Sequence, residues 1–230
     1  MKLLFFDKLS STNDYLKEVP FSPFLGVVAL EQTCGRGRRG KSWLSKRGKG
    51  LYLSVMFPPL KENLTLASLA FGYGVYRVLR ELSPSFYLKW PNDIYFKGKK
   101  VSGVLPENLK DRLIVGVGVN LSYTQKELSH LEVPATSLKL LGIEVELKEF
   151  AKKVYSSLVS LYKELLNGSF SPSLFERACP LIGKEVLVNE RGKIYTALAL
   201  GVDRDGALVV ETEGEVKRLF CGEVSLREVV

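Results

Sequence analysis

Ligands for a soft metal are scarce in this 230-residue chain: one histidine, His130, and three cysteines, Cys34, Cys179 and Cys221, none in C-x-x-C spacing. That supply argues against a zinc site, and the odd cysteine count argues against a disulfide framework. Long apolar runs are missing too. The opening MKLLFFDKLSSTND meets charge at Asp7, too soon for a signal peptide, and no later window approaches the length that spans a bilayer. The reading is a reducing, cytoplasmic setting with no membrane partner. Internal repeats and low-complexity linkers are absent, and 46% hydrophobic with 25% charged residues is a globular composition. Acidic residues are the last shortage: 25 against 33 lysines and arginines, a formal net charge of +8. Such a surplus points to an acidic partner, whether nucleotide, nucleic acid or protein surface.

The apolar spacing predicts an α+β fold in two parts. KLLFFD opens as a short strand, and Ser11 and Asp14 stand in capping-box spacing before a short helix. LGVVALEQT reads as a buried strand delivering Gln32, GLYLSVMFPP as a strand stopped by Pro58-Pro59, and TLASLAFGYGVYRVLREL as a buried helix despite Gly72 and Gly74. FYLKWPNDIYFKGKKVSGVLPEN reads as strand, turn at Pro91-Asn92 and hairpin; RLIVGVGVNLS is a further strand whose glycines let a backbone or ligand approach. Residues 147–166 carry one apolar helical face, with Gly168 as its stop. From Ile182 the pattern changes to five short alternating strands with turns at Asn189 to Gly192, Asp203 to Gly206 and Glu213-Gly214, which predicts a small SH3-like β-barrel.

Gly35-Arg-Gly-Arg-Arg-Gly40 satisfies the G-x-G-x-x-G spacing of a dinucleotide fingerprint. That fingerprint works only when a helix begins at the glycines and turns its amides toward a pyrophosphate. Lys-Ser-Trp-Leu-Ser-Lys-Arg-Gly follows here, with no helical repeat, so the loop reads as an anion clamp of guanidinium forks. Three other segments stand out: SSTND, KWPNDIYFKGKKVSGVLPE and VGVGVNLS. Taken singly they have ordinary readings as a helix cap, a turn, a charged hairpin tip and a strand.

Their order is less ordinary. S-T-N, then Q-x-x-G-R-G-R-x-G with a following Trp, then K-W-P-N-D-I with K-V-x-G-V-L after it, then G-x-G-x-N, resembles the biotin protein ligases over essentially the whole chain. DRDGALVVET and GEVSLR are similar to the small terminal barrel of that family. The resemblance implies a class II synthetase-like catalytic domain over residues 1–181, with a mixed central sheet and packed helices, and an SH3-like barrel over 182–230. It also implies a two-step reaction. Biotin and ATP give biotinyl-5'-AMP and pyrophosphate, with Mg²⁺ on the phosphates, and a lysine of a biotin carboxyl carrier protein then takes the biotinyl group. Joining a carboxylate to a polyphosphate brings two anions together, so fixed positive charge is a chemical necessity.

Carried over by position, the resemblance implies that Ser11, Thr12 and Asn13 hydrogen-bond the biotin rings, with Gln32 beside them. Arg36-Gly37-Arg38 folds over biotin and adenylate, and Arg38 lies closest to the activated phosphate. Lys100 neutralises the biotin carboxylate and the α-phosphoryl oxygen; with Arg38 it forms the catalytic pair. Asn92 or Asp93 positions magnesium, Asn120 reads the adenine, and Arg227 reaches the nucleotide from the barrel. Tyr123 is the aromatic available after G-x-G-x-N for stacking on adenine.

Too few residues precede Ser11 for a helix-turn-helix, so no specific DNA binding is expected. Edge strands of the central sheet suit a homodimer. Two alternatives remain. A lipoate or octanoate ligase of related fold would need an R-R-x-S-G-G-G run that is missing. A basic nucleic-acid-binding protein would explain the charge and RGRRGK, but not STN or KWPND.

Overall fold

The computed structural model describes residues 2–60, 64–190, 192–220 and 222–226. The larger part is a seven-stranded sheet in the order β1-β2-β3-β7-β6-β5-β4. Its strands are β1 (Lys2–Phe6), β2 (Leu25–Ala29), β3 (Gly50–Phe57), β4 (Phe86–Lys89), β5 (Asp93–Phe96), β6 (Lys99–Asn108) and β7 (Leu113–Asn120). β1 and β2 run parallel and every other neighbouring pair is antiparallel, so the sheet is mixed, as expected.

Alternation along the central strands assigns the two faces. Leu51, Leu53 and Val55 of β3 and Val115, Val117 and Val119 of β7 point into the main core. Helices α2 (Leu64–Leu82) and α4 (Leu147–Leu166) cover that face. The glycines inside α2 have packing reasons. A Cβ on Gly74 would sit 3.4 Å from Leu161 and Ser157 of α4, and Ser157 Oγ donates to the Gly74 carbonyl at 2.8 Å. Gly72 faces the backbone of Asn92, 3.7 Å from a would-be Cβ, so α2 passes close beneath the Pro91-Asn92 turn. α4 starts at Glu146, whose carboxylate accepts from the amides of Lys148 and Glu149, and Gly168 follows its end at φ +68°.

The opposite face is only partly covered. The short helix α1 (Thr12–Glu18) lays Leu16 on Val27, Met56 and Ile114. Ser11 Oγ accepts from the Asp14 amide at 3.4 Å, while the Asp14 carboxylate turns to Lys17 and Arg36. The reciprocal capping box is found elsewhere, between Thr124 and Glu127 of the one-turn helix α3 (Gln125–Leu128).

A one-turn helix α5 (Ser173–Glu176) leads to the second sheet, in which β8 (Glu185–Glu190), β9 (Lys193–Val202), β10 (Leu208–Thr212), β11 (Glu215–Leu219) and β12 (Glu223–Leu226) are antiparallel in the order β11-β10-β9-β8-β12. The turn at Asp203 to Gly206 forms as expected, with Asp203 Oδ1 accepting from the amides of Asp205 and Ala207 and Gly206 at φ +83°. The expected barrel is corrected in one respect: it is not closed, because β11 and β12 occupy opposite edges and do not pair among the described residues. Val186, Val188, Ala197, Ala199, Leu208 and Val210 join the main core instead, so the sheet covers its apolar face against the larger part rather than by curling on itself. Glu215 to Arg218 of β11 are exposed, with no interior to fill. Among the described residues no helix is long and apolar enough to cross a membrane.

Candidate functional site

Beyond α1 the uncovered face of the sheet becomes a floor of glycine. Gly116 and Gly118 of β7 and Gly103 of β6 alternate onto it, and Gly103 pairs directly with Gly118. Each has a neighbour that a side chain would displace: a Cβ on Gly116 would lie 2.3 Å from Asn13 Oδ1, and one on Gly118 would lie 2.3 Å from Cε2 of Trp43. The Trp43 ring therefore lies flat on the strands. Its buried indole N–H has no hydrogen-bond partner among the described residues.

At one end of the floor, buried Thr12 and Asn13 form a hydrogen-bonded cluster with Gln32 and Ser54, beside buried Ser11. The Thr12 amide and hydroxyl both donate to Gln32 Oε1, at 2.8 and 3.1 Å, and Gln32 Nε2 donates to Ser45 Oγ at 2.9 Å. Ser54 Oγ lies 2.7 Å from Thr12 Oγ1 and 2.5 Å from Asn13 Oδ1. Asn13 Nδ2 donates to Glu107 Oε2 at 2.7 Å. Polar groups that are buried and already satisfied are held rigidly, which suits recognition of a ring bearing both donors and acceptors.

The glycine-arginine loop arches over the floor as a tight hairpin. Arg36 bridges to Ser42, and a single 3₁₀ turn spans Arg38–Gly40, with Arg39 at φ +55° and Gly40 at φ +73°. No helix begins there. Gly35 is required by packing, since a Cβ would meet the Trp43 carbonyl and Ser45 Oγ at 2.4 Å. Arg36 reaches back to Asp14 at 2.5 Å and Glu107 at 3.1 Å. Burial alone would raise the Asp14 carboxyl, but Lys17 and Arg36 outweigh it and hold the group below its usual range; the same Asp14 contact raises Arg36. Arg38 Nη1 donates to Asn92 Oδ1 at 3.0 Å, tying the loop to the K-W-P-N-D turn.

Lys100 stands at the other end. Strict alternation would put it on the face opposite Gly103, three residues away. The β5–β6 register shifts between Ile94 and Tyr95, so Val101 is the extra residue and Lys100 pairs with Tyr95. The shift turns Lys100 onto the glycine face, where its Nζ lies 2.7 Å from Asp93 Oδ2 and 5.4 Å from the Trp43 ring centre. Trp90 closes this end by donating its indole N–H to the Gly206 carbonyl in the turn between β9 and β10 at 3.1 Å, and Gly222 and Val224 add to the wall.

These parts enclose one cleft of about 680 Å³. Among the described residues six lysine and arginine side chains but only Asp93 and Glu132 among carboxylates line it. Ser11, Thr12, Asn13, Gln32, Arg36, Gly37, Arg38, Asn92, Asp93, Lys100 and Asn120 all border it. Arg227 lies outside the described residues. Hydrogen bonds already engage three of the residues expected at the site. Asn92 already has structural partners: its oxygen accepts from Arg38 and its Nδ2 donates to the Val104 carbonyl at 2.5 Å, so a metal ion there would share the amide oxygen with Arg38. Tyr123 is no stacking surface, being fully buried with its hydroxyl bonded to Tyr52 and to the Leu44 carbonyl. Asn120 gives an amide N–H to the Thr136 carbonyl at 3.0 Å and so shapes the wall at residues 135–137. Among the described residues no group of three or more His, Cys, Asp or Glu side chains could hold a metal ion. Asp93 fits magnesium only as a single carboxylate beside an ion that substrate phosphates carry, the manner in which this ion is usually bound. Sequence reasoning placed Trp43 in the loop motif without a role and missed Ser54 and Glu107, which carry the signal in their alternation with Met56 on β3 and with Gly103 and Leu105 on β6.

Comparison with known proteins agrees with this geometry. Residues 5–123 match the Biotin/lipoate A/B protein ligase family, and residues 181–227 match the Biotin protein ligase C terminal domain. The bifunctional ligase/repressor BirA of Escherichia coli is 31% identical over 232 residues, spanning 95% of this chain and 72% of its own. A biotin–acetyl-CoA-carboxylase ligase of Mycobacterium tuberculosis is 28% identical over 211 residues, spanning 86% of this chain and 77% of its own. The solved structure of biotin protein ligase from Aquifex aeolicus in complex with biotin and ATP is similar with a TM-score of 0.85 and 35% identity, covering 98% of both chains.

Proposed function

The chain belongs to the biotin/lipoate A/B protein ligase family, and from that premise we propose that its cleft activates biotin with ATP and passes the biotinyl group to a carboxylase. The observation that carries the reading is the polarity of the cleft. A rigid hydrogen-bonding cluster around Thr12 and Asn13 lies at one end, and Lys100 with Arg38 lies at the other, along glycine strands that leave room for the Trp43 ring between them.

In the first step a biotin carboxylate oxygen attacks the α-phosphorus of ATP, and the bond to pyrophosphate breaks. Lys100 and Arg38 stabilise the negative charge that gathers on the phosphoryl oxygens, in a cleft where donors are already in place. Lys100 is neutralised by Asp93 until the anions arrive, so the protein need not hold an unpaired ammonium in a half-buried position. Bound magnesium, held by phosphates with Asp93, would lower the charge repulsion between the two anions. In the second step a neutral lysine amine of a biotin carboxyl carrier domain attacks the acyl carbon; the bond to AMP breaks and the amine loses a proton to solvent. The arginine hairpin, tied to Asn92, keeps water from the mixed anhydride meanwhile. Ser11, Thr12, Asn13 and Gln32 hold the biotin rings, Arg36 and Gly37 cover them, and Asn120 borders the adenine. The outer edges of β1 and β4 suit pairing with a second copy.

Biotin-dependent exchange of labelled pyrophosphate into ATP tests this directly, with lipoate and octanoate as parallel acids. Exchange with biotin alone is the expected result; exchange with lipoate or octanoate in its place would move the chain to the other branch of the family.

A further inference from the structure

Glu107 lies on β6, where Gly103, Leu105 and Glu107 alternate onto the site face. Its two carboxylate oxygens face different elements. Oε2 accepts from Asn13 Nδ2 of α1 at 2.7 Å, while Oε1 receives Lys17 Nζ at 3.0 Å and Arg36 Nη2 of the hairpin at 3.1 Å. Asp14 completes the group by pairing with the same lysine and arginine. Two cations and two carboxylates balance, and their side chains are from one-fifth to two-fifths exposed.

We infer that Glu107 is a positioning residue for biotin recognition: it orients the Asn13 amide and ties the arginine hairpin to that same amide through Arg36. The inference rests on the reading of Asn13 as a biotin contact. An amide has two orientations of nearly equal shape, and a neutral neighbour that can donate or accept would permit both. An ionised carboxylate only accepts, so Asn13 must turn its nitrogen toward Glu107 and its oxygen toward Ser54 Oγ, 2.5 Å away. The flipped amide would set oxygen against oxygen. Retreat is blocked because the amide already lies against Gly116, where even a methyl group would be 2.3 Å from Oδ1. Biotin's ureido group carries two N–H donors and one carbonyl, so a reversed amide presents it with the wrong partner. One carboxylate thus sets the recognition polarity and anchors the cover.

Glu107→Gln keeps the shape and removes both the charge and the acceptor-only constraint. The expected result is a rise in the biotin KM of pyrophosphate exchange, and in the biotin Kd by calorimetry without ATP, of roughly ten-fold. The ATP KM changes much less, and kcat at saturating biotin falls less than the biotin KM rises. In an Asn13→Ala background the same substitution adds little, because the amide to be oriented is gone. Asn13→Ala with wild-type biotin affinity overturns the reading of Asn13, and the inference with it. Weakened binding in Asn13→Ala beside unchanged binding in Glu107→Gln, or effects that add in full, overturns the role of Glu107 alone. Glu107→Asp keeps an acceptor-only charge with shorter reach and is expected to bind biotin better than Glu107→Gln. No such rescue would remove the charge from the explanation, and the comparison stands even if the glutamine variant folds poorly.

Discussion

The two faces of the seven-stranded sheet are built from the same strands and follow opposite rules. On one, Leu53, Val115, Val117 and Val119 bring branched side chains against α2 and α4. On the other, the residues between them are Ser54, Gly116, Gly118 and Asn120, and the space that side chains would fill is left to Trp43, Asn13 and the cleft. Burial of apolar area stabilises the first face, while the second gives up that stabilisation for access. A strand with period two can do both at once: the valines of β7 hold the fold, and its glycines make room for Asn13 and Trp43 beside the cleft.

That division can be broken from either side. Leu53→Ala, fully buried on the helix face, is expected to cost about 2–5 kcal/mol of stability in denaturant unfolding, with biotin and ATP KM values unchanged for the folded enzyme. Lys100→Ala, on the site face, removes a charge-assisted contact of about 1.5–3 kcal/mol and should slow pyrophosphate exchange roughly ten- to a hundred-fold or more. Its unfolding midpoint should hardly move, since the ion pair with Asp93 is partly solvated. Wild-type turnover would take Lys100 out of the chemistry. Gly118→Ala pushes a methyl group into the Trp43 ring, so exchange activity should fall by more than stability does, on the scale of the roughly 1–3 kcal/mol typical of overpacking. Equal losses in the two assays would mean that the glycine floor is simply core.

The smallest effect expected is one of pH. The Glu127 carboxyl is held down to about 2, chiefly by the Thr124 backbone amide and further by the Thr124 hydroxyl and Lys49, against the opposing effect of burial. A lowered carboxyl stabilises the fold fully above the usual glutamate range and loses that contribution as pH falls through about 4.5 toward 2. The stability difference between wild type and Glu127→Gln should therefore shrink over that interval in acid titrations followed by circular dichroism.

Much of this was legible in the residues. Apolar runs in GLYLSVMF and LIVGVGVN located the central strands, and period 3.6 in residues 147–166 located α4. The glycine-arginine loop was separable from a dinucleotide turn because nothing after it could be a helix, and the hairpin at Arg36 to Ser42 bears that out. What could not be read was register. The extra residue at Val101 decides which face Lys100 occupies, yet it depends on how β5 pairs with β6, not on any local preference. Glu107 escaped for a similar reason: its partners come from α1 and from the hairpin, ninety or so and seventy or so residues earlier in the chain. The open second sheet is a third case. Its five strands and turns were visible, but whether they curl up or spread depends on what covers their apolar face, and here the main core does so.

The hydrogen bond from Trp90 to the Gly206 carbonyl bears on how this chain can be divided. Every glycine of the floor and every side chain of the recognition cluster precedes residue 182, so a fragment cut there would seem to carry the whole site. It would also leave the Trp90 indole N–H facing an empty seat directly before the turn that bears Asn92 and Asp93, and the wall at Gly222 and Val224 would be gone. The smaller sheet is the keystone of the Lys100 end of the cleft, set last in the chain and bearing on its first arch.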